Sequence, residues 1–255
     1  MHELSLFATL PGSQYSQFLY QLQCITRMRP VPVQEIRLVY RTRKPPGLGK
    51  LPGVGGSQAA QTDTQKASTA LSKAIYFVTL VGSVASVEQG KEKKIEWTFE
   101  FKETPDAGKQ AASTRLVSRI PIEAGSVRDF VKNFGFEFVS WYLLEGHQVY
   151  DRETTILVPQ LFRPSEEAVS QSHTPSDIDQ LVQSLQDRKS LIPVDPSGTR
   201  LVHASIQVVD GNVQALKDQA MQQLSGIAHI LRGAVDLHVA DRLALDPRIV
   251  VVPGQ

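Results

Sequence analysis

The stretch from Phe134 to Phe162, FGFEFVSWYLLEGHQVYDRETTILVPQLF, constrains the fold more than any other part of the chain. Strand side chains alternate between two faces. Phe136, Phe138, Ser140, Tyr142 and Leu144 therefore share one face, and Glu137, Val139, Trp141 and Leu143 share the other. Glu145-Gly146-His147 offers a reversal, and β-favouring residues resume at Val149 and at Thr155, Ile156, Leu157 and Val158. The pattern predicts a hairpin turning at 145–147, with a first strand apolar on both faces. Such a strand needs two covers. The Phe face carries more aromatic bulk and is assigned to the interior. The Trp face then requires an outer cover, either a helix of this chain or another protein.

The remaining segments read as strands and two long helices. His2–Leu10 alternates, with Leu4, Leu6, Ala8 and Leu10 together. Ser13 is a plausible N-cap for a helix over 13–28, carrying Tyr15, Phe18, Leu19, Leu22 and Ile25 at helical spacing, and Pro30 and Pro32 stop it. Val33–Arg41, Ile75–Val84, Lys94–Lys102, Arg115–Ile122 and Arg200–Val209 have strand character. In Lys94–Lys102, Ile95, Trp97, Phe99 and Phe101 are assigned inward and Glu96, Thr98, Glu100 and Lys102 to a solvated outer face. A second long helix over 212–231 follows Asn212, with Val213, Leu216, Ala220, Leu224, Ile227 and Leu231 as its stripe, and Gly233 ends it. Val235–Val239 is taken as the closing strand. Residues 42–70 and 164–197 are rich in polar residues, Pro and Gly and are expected to be flexible insertions, the second holding an amphipathic helix at 176–189. The expectation is one domain over 1–255, α+β but mainly β. Its antiparallel, barrel-like sheet has roughly eight to ten strands, flanked by the two long helices.

Composition removes several classes of function. The net charge is +1, so no global field favours nucleic acid or a membrane surface. No window reaches the ~18 apolar residues of a membrane span, and the start lacks the basic-then-apolar pattern of a secretory signal. Cys24 is the single cysteine, which rules out an internal disulfide and cysteine-rich zinc sites. The six histidines show no ligand pair at motif spacing; His2, His203 and His238 fall on strands that can neighbour one another, and are read as ordinary histidines. The glycines around Lys50 miss the P-loop pattern, because Lys50 is followed by Leu51 and Pro52. No cofactor, metal or catalytic residue is expected.

One constellation supports a rival, enzymatic reading. Glu96, Glu100 and Lys102 stand in a row, and Arg115 and Arg119 alternate on the next strand. Facing into a barrel, they would suit a metal-dependent phosphohydrolase of the triphosphate-tunnel kind, with carboxylates on a divalent metal and arginines on phosphates. The signature of those enzymes is Glu-x-Glu-x-Lys, and Thr98 stands where its first Glu belongs.

The opening MHELSLFATLP, and above all Gly135-Phe136-Glu137-Phe138-Val139 through Tyr142-Leu143-Leu144-Glu145-Gly146-His147, resemble the Mediator complex subunit 18 family, fungal type. The resemblance covers nearly the whole chain outside the two insertions. It implies a non-enzymatic subunit of the Mediator head module, a nuclear coactivator of RNA polymerase II transcription, built on a β-barrel with flanking helices. It further implies pairing with Mediator subunit 20, a tether to a C-terminal helix of subunit 8, only indirect contact with the polymerase machinery, and no direct nucleic-acid binding. The sequence adds partner-binding candidates on the two-sided apolar strands: Tyr76, Val78, Leu80, Val139, Trp141 and Leu143.

Overall fold

The computed structural model describes residues 1–42, 75–84, 95–108, 110–122, 127–165, 191–211 and 213–249. In chain order the elements are β1 (His2–Leu10), α1 (Tyr15–Thr26), β2 (Val31–Arg41), β3 (Ile75–Val84), β4 (Ile95–Lys102), β5 (Ser113–Ile122), α2 (Val127–Asn133), β6 (Glu137–Asp151), β7 (Thr154–Pro164), β8 (Leu191–Pro193), β9 (Arg200–Val208), α3 (Gln214–Leu231) and β10 (Arg248–Ile249). Eight of the strands form a closed ring in the order β3-β2-β6-β7-β9-β1-β5-β4, with β4 returning to β3. Every pairing in the ring is antiparallel. Short β8 adds to β7, and β10 adds two residues to β3. Closure leaves the ring itself without a free edge.

The outward rows are apolar; the inward rows carry the charges on β1, β2, β4 and β5, whereas the inward row of β7 is itself mostly apolar, with Leu157, Pro159 and Leu161. On one side Leu4, Leu6, Ala8 and Leu10 of β1, Val202, Ala204 and Ile206 of β9, and Ile156 and Val158 of β7 form a core with the two long helices. Phe18 and Leu22 of α1, and Ala220, Leu224, Ile227 and Leu231 of α3, press onto that wall at helical spacing. Full withdrawal of each Leu, Ile or Phe contributes about 2 kcal/mol. On the opposite side Ile36, Leu38 and Tyr40 of β2 and Val78 and Leu80 of β3 form a second core under α2, joined by Trp97, Phe99, Phe101, Phe130, Phe136, Phe138 and Trp141. The core therefore lies in two patches between the barrel wall and its helices.

This arrangement reverses the expected orientation of β4. Trp97, Phe99 and Phe101 are on the outer wall beneath α2, while Thr98, Glu100 and Lys102 line the barrel interior. Alternation was correctly read, but alternation alone does not say which row the sheet curls around. The expected interior face of β6 is likewise divided. A register shift opposite Val39/Tyr40 puts Phe136, Phe138 and Trp141 against the same outer core, and Tyr142 lines the interior.

The expected turn at 145–147 is also corrected. Strand β6 runs straight through it, with Gly146 opposite Val33 on one side and Pro159 on the other. The reversal comes at Arg152-Glu153, between the paired residues Asp151 and Thr154, with Arg152 at φ 54. Gly146 serves close approach instead: a Cβ there would stand 2.2 Å from the Val158 carbonyl oxygen.

Smaller departures follow the same logic of local cues overridden by packing. Val235–Val239 makes only an isolated bridge, His238 with Phe7, while Val235 and Leu237 pack into the first core. Ser13 lies in a 3-10 turn, Gly12–Gln14, ahead of α1 and makes no capping bond. Strand β8 and the turn at 195–198 fall inside the second expected insertion. Residues 43–70, the 176–189 segment and Asn212 lie outside the described residues.

Replacing Gly146 by Ala is expected to destabilise the fold by about 3 kcal/mol, because the clash is with backbone. Chemical denaturation of the two proteins measures it. Equal midpoints would show that β6 and β7 can part there without loss.

Candidate functional site

The inward rows enclose a lumen of about 440 Å³, charged along β1, β2, β4 and β5 and more apolar along β6 and β7. Its wall is assembled from all eight ring strands. Glu3 and Phe7 come from β1, Glu35 and Arg37 from β2, Val81 and Ser83 from β3, and Glu100 and Lys102 from β4. Arg115 and Arg119 come from β5, Tyr142 and Gln148 from β6, Thr155 and Leu157 from β7, and His203 and Ser205 from β9. Four cations, Arg37, Lys102, Arg115 and Arg119, face three carboxylates, Glu3, Glu35 and Glu100, an excess of one positive charge.

A buried charge persists only when paired. Glu3 is 1% exposed, and Arg115 binds one of its oxygens through Nε at 3.1 Å and Nη2 at 2.8 Å. Glu100 accepts from Arg119 Nε at 2.8 Å, with Lys102 Nζ at 3.5 Å and Arg37 Nη1 at 3.6 Å. Lys102 also stands 3.8 Å from Glu3. Arg37 is held in turn by Glu35 at 2.7 Å. Burial alone would raise the Glu3 carboxyl, but Lys102 and Arg115 outweigh it and bring it down to about 2. Burial also opposes ionisation of Glu100, and Lys102, Arg37 and Arg119 overcome it, so its pKa too is lowered. Burial pushes Lys102 down, against the pull of both carboxylates. His203 stacks on Phe7 with ring centroids 4.8 Å apart. Burial drives it down to about 4; Glu3 acts the other way, and Lys102, Arg115 and Arg37 add to the fall.

The residues singled out for enzymatic chemistry are therefore brought together. Glu100, Lys102, Arg115 and Arg119 share the lumen, whereas Glu96 is exposed on β4. The solvated outer face assigned to them is corrected: they line the interior. Four further lumen residues escaped the sequence reading: Glu3, Glu35, Arg37 and His203. A signal existed in β1, where Glu3 and Ser5 interleave with Leu4 and Leu6. The histidines at 2, 203 and 238 do not form a cluster: His203 and His238 oppose Phe7 from its two sides, with Phe7 between them, whereas His2 opposes Val208. Among the described residues, no group of three or more His, Cys, Asp or Glu is arranged to hold a metal ion.

The partner-binding candidates map to the opposite surface of the wall, on β3 and β6 to either side of β2. Val78, Leu80 and Leu143 are buried within the chain itself, at 4%, 0% and 1% exposure. Tyr76 and Trp141 are half-buried, with Tyr76 edge-on to Phe101, and Val139 is exposed. Phe134 and Ile120, 65% and 53% exposed, extend apolar surface nearby: Phe134 stacks on Phe136, and Ile120 opposes Phe99 across the β4–β5 ladder. At the far side of the barrel the Leu-Glu-Gly-His stretch fastens α1. Tyr15 Oη and His147 Nδ1 share a 2.6 Å hydrogen bond, and Arg200 lies 3.7 Å over the Tyr15 ring.

Comparison with known proteins adds what geometry does not. Residues 2–248 match the family model described as Med18 protein. A Coccidioides immitis protein, "Mediator of RNA polymerase II transcription subunit 18", is 32% identical, with 98% of this chain and all of that protein aligned. The Aspergillus oryzae protein of the same description is 29% identical over 97% of this chain and 99% of its own length. A chain in the structure of the Schizosaccharomyces pombe Mediator head module superposes with a TM-score of 0.66 at 18% identity, covering 94% of this chain and 99% of that one, and so shares the fold.

The lumen makes stability depend on pH. His203 has a folded pKa near 4, below its usual 6.5. The unfolded chain then binds the extra proton first, so stability is complete above pH ~6.5 and falls as pH drops toward 4, by as much as ~3 kcal/mol. Glu3, depressed to about 2, extends the loss below the usual carboxylate range. His203→Gln is expected to flatten the curve between pH 6.5 and 4. Urea midpoints across that window check it, and an unchanged slope would show that His203 does not titrate as its burial dictates.

Proposed function

Because the chain belongs to the Med18 family, we propose that it acts as a non-enzymatic subunit of the Mediator head module, a protein-interaction module in the regulation of RNA polymerase II transcription. The observation that carries this reading is the family match over residues 2–248, supported by relatives aligned along their whole length. The likeness in fold to a chain of the Mediator head module is consistent with it. The hydrolase reading is not favoured, because the family match explains the whole chain. The lumen charges then serve a fold shared without the chemistry.

In this reading the chain is one folded unit that works in the nucleus, bound to other Mediator subunits. Its specific partners are a subunit 20 protein, as a heterodimer, and a C-terminal helix of a subunit 8 protein. Contact with the polymerase machinery is indirect, and neither nucleic acid nor membrane is bound directly. The partner surface includes the outer wall beside α2, where Val139, Tyr76 and Trp141 present apolar side chains and where the buried Val78, Leu80 and Leu143 support them. Aromatic anchors backed by a rigid core are what interfaces favour.

Affinity capture of the tagged chain from cell extract tests the assignment: recovery of the head subunits is expected, and their absence would refute it. Val139→Asp tests the surface. Val139 is 44% exposed, so a carboxylate there is solvated in the free subunit and desolvated only under a partner. Binding to the head subunits is expected to weaken at least ~tenfold, with the melting temperature changed by no more than ~2 °C. Leu143→Asp, at a site 1% exposed, is the contrasting case and is expected to unfold the protein. Undiminished binding by Val139→Asp would place the interface elsewhere.

A further inference from the structure

The lumen charges are layered, and the layering has a direction. The carboxylates of Glu3 and Glu100 are withdrawn, their side chains 2% and 5% exposed. The cations around them remain open to the cavity: Arg37 is 16% exposed, Lys102 21% and Arg119 38%. Glu35, at 20%, is held to the side by Arg37. What the cavity meets around Glu100 is therefore Lys102, Arg37 and Arg119, with Glu100 behind them and Glu35 as open as Arg37. Lys102 and Arg37 approach the same oxygen of Glu100, at 3.5 and 3.6 Å, and Arg119 bonds the other at 2.8 Å. Three positive groups from β4, β2 and β5 are thus gathered on one carboxylate. The Lys102 ammonium, a three-proton donor, is held by two long ion pairs, 3.5 Å from Glu100 and 3.8 Å from Glu3. The Ser5 and Ser113 hydroxyls, opposite one another in register on inward-facing positions, are without partners.

From these observations we propose that the lumen is a binding site for a small polyvalent oxyanion of the inorganic phosphate class, held by Lys102, Arg37 and Arg119. Spare donors, an excess of positive charge and a cavity within the size range of small-molecule pockets all select an acceptor-rich, negatively charged ligand. Glu100 is the positioning residue: it gathers the three cations on one carboxylate. The site binds and does not break bonds. It is independent of the outer-wall interface, so its failure would leave the family function untouched.

The test is isothermal titration calorimetry of the full chain with inorganic phosphate at constant ionic strength, with chloride as the replaced ion. One saturable site per chain is expected, with a Kd at or below about 1 mM. Lys102→Gln and Arg119→Gln are each expected to weaken it at least ~tenfold, while Arg41→Gln, at the exposed end of β2 and outside the lumen lining, leaves it unchanged. If Lys102→Gln fails to fold, the more exposed Arg119→Gln carries the comparison. Absence of saturable heat up to about 10 mM phosphate overturns the proposal. So does equal affinity in the wild type, Lys102→Gln and Arg119→Gln.

Discussion

Glu3 and Glu100 are buried carboxylates, and the barrel is organised by the need to keep them ionised. A lone carboxylate in such a place would cost several kcal/mol. Here each is ringed by cations from other strands: Glu3 on β1 by Arg115 of β5 and Lys102 of β4, Glu100 on β4 by Arg119 of β5 and Arg37 of β2. These pairs tie β1, β5, β4 and β2 together across the interior. Registers that separated the pairs would leave charges stranded, so the network selects one closure of the ring among those that the backbone ladders alone would accept.

A charged interior has a consequence for the exterior. With the polar row turned inward, the apolar row of nearly every strand must be covered from outside. Helices α1 and α3 cover the wall of β1 and β9, and α2 covers part of the wall of β2, β3 and β4. Helix α2 spans Val127–Asn133 only, and Phe134, Ile120 and Val139 remain exposed around it. The interior charge and the under-covered outer side are two results of one orientation.

Much of this was legible in the sequence. The bounds of α1 and α3 are correct to within a residue or two, and Phe18, Leu22, Ala220, Leu224, Ile227 and Leu231 of the expected stripes are buried, whereas Ile25, Val213 and Leu216 at the helix ends are exposed. The strands β1, β2, β3, β4, β5 and β9 follow alternation, and the β-barrel class follows from their antiparallel order. What failed was direction and interruption. The mixed rows of β4 are equally compatible with either face inside, and the decisive charges, Glu3 and Arg37, sit on distant strands. Gly146 looked like a turn because glycine is common in turns, whereas here it admits the backbone of β7. Arg152, an unfavourable residue for positive φ, makes the real reversal and carries no signal. The partner-binding candidates are apolar positions on two-sided apolar strands, and apolarity does not separate Leu143, beneath the surface, from Val139 upon it.

The position of β1 has a consequence for synthesis. Ser5 is flanked in the sheet by Ser113 and by Ser205, so β1, once it has left the ribosome, waits roughly a hundred residues for one neighbour and two hundred for the other. Until then its Leu4-Leu6-Leu10 row and open ladder have no cover. Translation speed and chaperone occupancy over the intervening chain therefore govern the yield of closed barrel, and a deletion of the first ten residues would be felt at the ring's last seam rather than at its start.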